Sequence, residues 1–198
     1  MDIRKVVVER RSIRGYSSKE VSLEDVGEIL ESARFSPSSG NMQSWKIIVV
    51  TDAGLRADIA KVCKKQDWMA DAPVHLVICN EYPEVVGSYK KLGKMFSIQN
   101  CAVLATNIMN LAYASGLGTC WVGSFPADSI KGIIGLPEDG VDPEVIITLG
   151  YPAKDLVLED KPRKDIFDIA FFDKWGNKEG NFKSGSFIEK LKDKFLKK

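Results

Sequence analysis

Apolar residues recur at helical spacing over about residues 2–10, where Ile3, Val6 and Val7 predict one buried face. A polar stretch, RRSIRGYSSKEV, follows. Ser22 then opens a second helix through a capping-box-like S-L-E-D, with Val26, Ile29, Leu30 and Ala33 as its inner stripe. SPSSGNMQS ends that helix, since Pro37 and Gly40 both oppose its continuation. KIIVV (46–50) predicts a buried strand, 53–63 a helix through Leu55, Ile59 and Val62, and VHLVICN (74–80) a second strand. Residues 81–95, polar and carrying Pro83, Gly87 and Gly93, predict a mobile loop or lid.

From Phe96 to Ser115 the chain is apolar nearly all round, the pattern of a helix buried in a core or an interface. GLGTCWVGSF (116–125) predicts a turn running into a short strand. A brief helix over 128–134 and a strand over 145–152 come next. Beyond Lys174 a polar stretch leads to FIEKLKDKFLKK, where Phe187, Leu191 and Phe195 form a narrow stripe suited to packing on the body or on a partner subunit. Helices and strands are interspersed without regular alternation. The expected organisation is one body over 1–173 and a C-terminal extension over 174–198.

Composition narrows the classes. Of the 198 residues, 44% are hydrophobic and 28% charged, which excludes a disordered or fibrous chain. No apolar run approaches the roughly 20 residues of a membrane span. The start, MDIRKVVVERRS, is too charged for a signal-peptide core. A cytoplasmic protein, with neither membrane nor nucleic acid as partner, is expected. The net charge of +1 conceals a split. Residues 1–20 hold six Lys/Arg against three acids, 21–152 ten against fifteen, and 153–198 twelve against nine. Two basic ends around an acidic centre suit a small anion held between them, and equally an ordinary solvated surface.

Cys63, Cys79, Cys101 and Cys120 form no C-x-x-C pair, so zinc-ribbon, iron–sulfur and thioredoxin-type patterns are absent. The single histidine, His75, lies in a strand-like run and reads as a packed residue; a Ser-His-Asp triad would rest on it alone. Neither GxGxxG nor GxxxxGK[ST] occurs, so the usual nucleotide phosphate loops are missing.

Three distant segments share a chemistry. RRSIR (10–14) clusters guanidinium groups with a hydroxyl, as phosphate binding requires. PSSGNMQSW (37–45) is dense in short hydroxyl and amide groups, suited to a polyhydroxylated ligand and the edge of a heterocycle. KPRK (161–164) is a second basic cluster behind the strand at VIITLGYP. Taken with ASGLGTCWVGSF, these segments make residues 3 to about 166 resemble the FMN-dependent nitroreductase family. The motifs carrying the resemblance are RRSIRGY, ARFSPSSGNMQSWKIIVV, ASGLGTCWVGSF, and LGYP followed by KPRK.

The resemblance implies an α+β flavoprotein with a central, mostly antiparallel sheet flanked by helices, built as an interlocked homodimer with two FMN at the subunit interface. It places Arg10, Ser12 and Arg163 at the phosphate, with Arg11 alongside, and Arg14 at the pyrimidine edge of the flavin. Pro37, Ser38, Ser39, Asn41 and Gln43 would approach the cofactor, at least partly from the partner subunit. Trp121, Val122, Gly123 and Ser124 would line one flavin face, with a backbone N–H near Gly123 close to N5. NADH or NADPH would be the electron donor, and a nitroaromatic, quinone or similar small acceptor would follow in ping-pong order.

The bare residues agree with that implication. A flavin carries hydride chemistry itself, so no side-chain nucleophile or base is needed. A cation near N1/O2 favours the reduced ring, and a glycine lets backbone approach N5. CKKQDWMADAP (63–73) departs from the asparagine and lysine that many relatives carry before the second strand. The contacts of Lys64, Lys65 and Gln66 therefore stay open, and with them the acceptor. A flavin-fragmenting or dehalogenating relative and a non-catalytic FMN-binding protein are the alternatives.

Overall fold

The computed structural model describes residues 1–64, 66–158 and 162–178. The chain divides into two compact units, Met1–Leu156 and Val157–Lys198. The stripe of Phe187, Leu191 and Phe195 lies outside the described residues.

The first unit is built on a four-stranded sheet in the order β1-β2-β4-β3, with β1 Trp45–Val50, β2 Val74–Glu81, β3 Gly118–Val122 and β4 Val141–Gly150, every pairing antiparallel. β2 and β4 are central, and their near-continuous apolar runs are buried on both faces. One face carries Leu76, Ile78, Ile147 and Leu149 against helices α2 (Leu23–Ala33) and α5 (Gly93–Ala114). The other carries Val50, Val77, Val122 and Ile146 against α3 (Ala53–Val62), α6 (Ala127–Ile134) and a 3₁₀ turn at Asp67–Asp71. A sheet with both faces covered by helices is the expected α+β architecture.

Local rules explain most boundaries. The Ser22 hydroxyl accepts from the Asp25 N–H and opens α2, and the Asp52 carboxylate does the same for α3 at Leu55. Gly135, at φ 70°, closes α6. Three expectations change. In α1 (Ile3–Glu9) only Val6 is buried; Ile3 is 63% and Val7 58% exposed, so this unit leaves most of the apolar face uncovered. Residues 81–95 are no loop: α4 (Pro83–Tyr89) and a 3₁₀ turn run straight into α5. Pro83 occupies the first turn of α4, where its missing N–H costs nothing, and Gly93 lets the two helices meet; a Cβ there would lie 2.4 Å from Val86 Cα. The helix expected from Phe96 thus starts at Gly93, and β4 begins four residues before the expected 145.

α5 is the central helix, and it is not uniformly buried. Met95 (46%), Ile98 (40%) and Val103 (37%) lie on a side open to solvent. On another side it buries polar groups, Ser97 and Asn100, inside an otherwise apolar core.

In the second unit, α7 (Ile166–Ile169) is capped by the Asp165 carboxylate, and Phe171 meets Trp175 at 5.0 Å between ring centroids.

Candidate functional site

The RRSIRGY segment lies along the free edge of β3. The Ile13 N–H donates to Thr119 O at 2.9 Å, and Ser12 bridges Thr119 in parallel sense. Two glycines paired across β3 and β4, Gly118 and Gly150, make room for it. A Cβ on Gly118 would sit 2.6 Å from Ile13 Cγ1, and one on Gly150 would sit 2.8 Å from Tyr16 Cδ1. Tyr16 then locks the segment from within. Its hydroxyl donates to Ile13 O at 3.0 Å and lies 2.6 Å from Thr148 Oγ1, and burial holds the phenol well above its ordinary pKa. Residues 107 positions apart in sequence, Ser12 and Thr119, are thereby neighbours.

Along this edge the side chains divide by role. Arg11 Nη1 donates to Val8, Glu9 and Arg10 carbonyls, so this guanidinium closes the C-terminus of α1. Arg10 and Arg14 have no carboxylate partner among the described residues. Arg14 is exposed and stands 5.9 Å from the ring centroid of Trp68, in the 3₁₀ turn of CKKQDWMADAP. Trp68 was not legible as a site residue, although an aromatic in a polar stretch just before a strand is the available signal. On β3 itself Trp121 keeps its indole 39% exposed, while alternation turns Val122 into the opposite core face. Gly123 and Ser124 are exposed. The Thr119 hydroxyl is buried without a partner among the described residues. Arg163 lies in the second unit, where its Nη1 donates to Pro162 O.

The second polar segment is built differently. Gly40, Asn41 and Gln43 all take positive φ, at 57°, 57° and 48°. Such a run is unfavourable for asparagine and glutamine and persists only where neighbours fix it. Ser38 Oγ accepts from the Gln43 N–H at 3.1 Å, and Gln43 Nε2 donates to Asn41 O at 2.7 Å. From below, Asn100 of α5 accepts from the Ser39 N–H at 2.9 Å and donates to Ser39 Oγ (3.0 Å) and Ser44 Oγ (3.2 Å). Pro37, Asn41 and Gln43 remain exposed, and Ser38 and Ser39 half-buried.

The structure therefore gathers Ser12, Arg14 and Trp121–Ser124 at the β3 edge, and Pro37–Gln43 at the β1 edge. With two strands between them, β1 and β3 are separated by three interstrand spacings, roughly 14 Å. Among the described residues no hydrogen bond or ion pair joins the two groups within one chain.

The groups excluded by the sequence stay excluded by their surroundings. His75 is fully buried, its Nε2 is 2.8 Å from Met69 O, and burial pushes its pKa down to about 4. Burial raises the thiols of Cys63 and Cys79 to about 11 and that of Cys101 to about 12, so these are packing groups rather than nucleophiles. No acid, histidine or cysteine cluster able to hold a metal occurs among the described residues. What remains exposed is a donor set: guanidinium groups and a hydroxyl for a phosphate or a negatively polarised ring edge, an indole face, and backbone at Gly123 with no side chain before it. That set fits FMN.

The Nitroreductase family model matches residues 7–66 and 60–151. A protein of Methanothermobacter thermautotrophicus, named for NADH dehydrogenase and NAD(P)H nitroreductase activity, is 33% identical over 172 residues, covering 85% of this chain and 84% of that protein. The NADPH-flavin oxidoreductase of Vibrio harveyi is 27% identical over 168 residues, covering 79% of this chain and 68% of its own length. Among solved structures, a nitroreductase family protein from Clostridium novyi NT superposes with a TM-score of 0.72 at 26% identity, covering 89% of this chain and 96% of that one. The glycine-seated basic segment, the β3 edge and the polar loop are thus the parts of a known scaffold: the chain belongs to the nitroreductase family.

Proposed function

We propose that the protein is an FMN-dependent oxidoreductase that passes hydride from NADH or NADPH to a nitroaromatic, quinone or similar small acceptor, in ping-pong order and as a homodimer. The observation that carries this reading is the pairing of RRSIR with β3 at Thr119, on the strand that leads into Trp121–Ser124. The names of the Methanothermobacter and Vibrio relatives supply the donor and flavin chemistry by kinship.

FMN, when bound, supplies the hydride transfer itself. The chain's own groups bind and orient. Arg10 and Ser12 would hold the phosphate by charge-assisted hydrogen bonds, and for Arg163 the same role is implied by the family resemblance alone. Arg14, steadied by Trp68, would set its charge at the pyrimidine edge, where it favours electron uptake. The backbone N–H near Gly123 would donate at N5, and the Trp121 indole would exclude water from one side of the ring. Pro37, Ser38, Ser39, Asn41 and Gln43 would reach the cofactor from the other subunit. That assignment follows from their distance to the β3 edge in their own chain, and the open side of α5 and the exposed Ile3 and Val7 supply apolar surface for such an interface. Cys63, Cys79, Cys101 and Cys120 form no disulfide among the described residues, which suits a reducing, cytoplasmic setting.

Anaerobic mixing of the FMN-loaded protein with NADH and with NADPH tests the reading. At least one donor should bleach the long-wavelength flavin band, and an added quinone should restore it. A protein that binds FMN yet is bleached by neither donor contradicts it.

A further inference from the structure

Ser97, Asn100 and Asn107 interrupt the apolar run of α5, and each donates or accepts a hydrogen bond toward another element. Asn100 and Asn107 are seven residues apart, two turns along one side of the helix. Asn107 Nδ2 donates to Ser36 Oγ at 2.7 Å, and Ser36 Oγ in turn donates to Ala33 O at 2.7 Å. Asn100 reaches Ser39 and Ser44 with both ends of its amide. The two asparagines therefore hold the segment 36–44 at its beginning, middle and end.

Their burdens differ. Asn107 fixes the exit of α2, where the Arg34 N–H already donates to Leu30 O at 3.0 Å. Asn100 is buried (4% exposed) beneath the stretch whose Gly40, Asn41 and Gln43 stand at positive φ. An apolar residue at 100 would leave the Ser39 N–H and two hydroxyls without their buried partner and release the strained run to relax.

We propose that Asn100 is a positioning residue for flavin binding, one that never touches the flavin and acts by holding the 38–44 loop in its ligand-ready conformation. The inference rests on the reading that this loop contacts the cofactor. Because the loop offers hydroxyl and amide groups rather than cations, Asn100 acts on the ring and ribityl side of the ligand, apart from the phosphate. Two consequences follow. Loss of Asn100 weakens FMN and riboflavin by the same factor. It also changes the visible circular dichroism of the bound flavin, which reports the asymmetry of the pocket.

The test compares Asn100→Leu, Asn100→Asp and Asn107→Leu with the parent full-length protein by FMN and riboflavin titration, visible circular dichroism and thermal melting. Asn100→Leu should raise both dissociation constants about tenfold, the loss of one well-placed hydrogen-bond anchor. Asp can accept from the same N–H and from both serine hydroxyls once they rotate, so Asn100→Asp should recover most of the affinity and the parent dichroism. Asn107→Leu should lower the melting temperature with less than half of that affinity change. Should Asn100→Leu fail to fold, Asn100→Asp against Ser44→Ala carries the test, with Ser44→Ala moving both ligands equally and in the same direction. FMN bound by the Leu variant, or by Ser44→Ala in that case, with the parent's affinity and dichroism overturns the inference. A parent protein that binds no flavin overturns the functional reading beneath it.

Discussion

The two edges of the sheet present their candidate ligand-binding groups by opposite means. At the β3 edge, backbone is laid on backbone: Gly118 and Gly150 clear the space, the Ile13 N–H joins Thr119, and Tyr16 seals the join. At the β1 edge, a loop of left-handed residues is held up by side-chain amides from α5. The first arrangement depends on the absence of atoms, the second on their exact complement of donors and acceptors. Overpacking should therefore damage the first, and loss of hydrogen bonds the second.

The largest effect should come from filling the glycine seat. Gly118→Val places a branched side chain where even a Cβ would lie 2.6 Å from Ile13. It should cost about 3 kcal/mol in urea unfolding and abolish FMN retention on gel filtration. A variant that keeps both parental values would mean that the segment has slack the structure does not reveal.

Acidification should act next, and from the centre of the sheet. His75 pairs with Thr148 across the sheet, and Thr148 meets the Tyr16 hydroxyl. The folded-state pKa of His75, about 4, lies below the ordinary 6.5. The unfolded chain therefore takes up this proton first as pH falls. The stabilising contribution is full above 6.5, declines between 6.5 and 4, and is spent below 4, a loss of about 3 kcal/mol. Unfolding free energies across that window should show the slope in the parent. His75→Gln, whose amide can still donate to Met69 O, should lack it.

Arg163→Ala separates phosphate binding from the loop's contribution. FMN affinity should fall about ten- to a hundredfold while riboflavin affinity stays near parental, as removal of a charge-assisted bond to phosphate requires. Equal loss for both ligands would make Arg163 a support of the fold. The smallest effect belongs to Trp68→Leu. Removing the ring beside Arg14 should cost about 0.5–1 kcal/mol in flavin affinity, read by titration.

The sequence made these regions unequally legible. Strands β2 and β4 are long apolar runs, and the Ser22 and Asp52 caps stand directly before apolar periodicity, so the framework followed from pattern. RRSIRGY and GLGTCWVGSF carried the family resemblance, but their adjacency is a tertiary fact that no local rule supplies. Residues 81–95 misled because Pro83 and Gly93, read as loop formers, serve a helix start and a close helix crossing. Hydropathy likewise hid Asn100 and Asn107 of α5, since a few amides scarcely alter the average of a 22-residue apolar helix. Arg11, grouped with the phosphate arginines by proximity in sequence, also donates from Nη1 to carbonyls at the end of α1, a contact that sequence proximity does not show.

The central claim is that a complete site needs two chains, because the two edges lie apart in one. Sedimentation of the FMN-loaded protein, followed at the flavin's own absorbance across a dilution series, tests it directly. All flavin absorbance should travel with a species of twice the 22.0 kDa chain and leave the boundary as that species dissociates. A flavin-bearing species of 22.0 kDa would contradict the account.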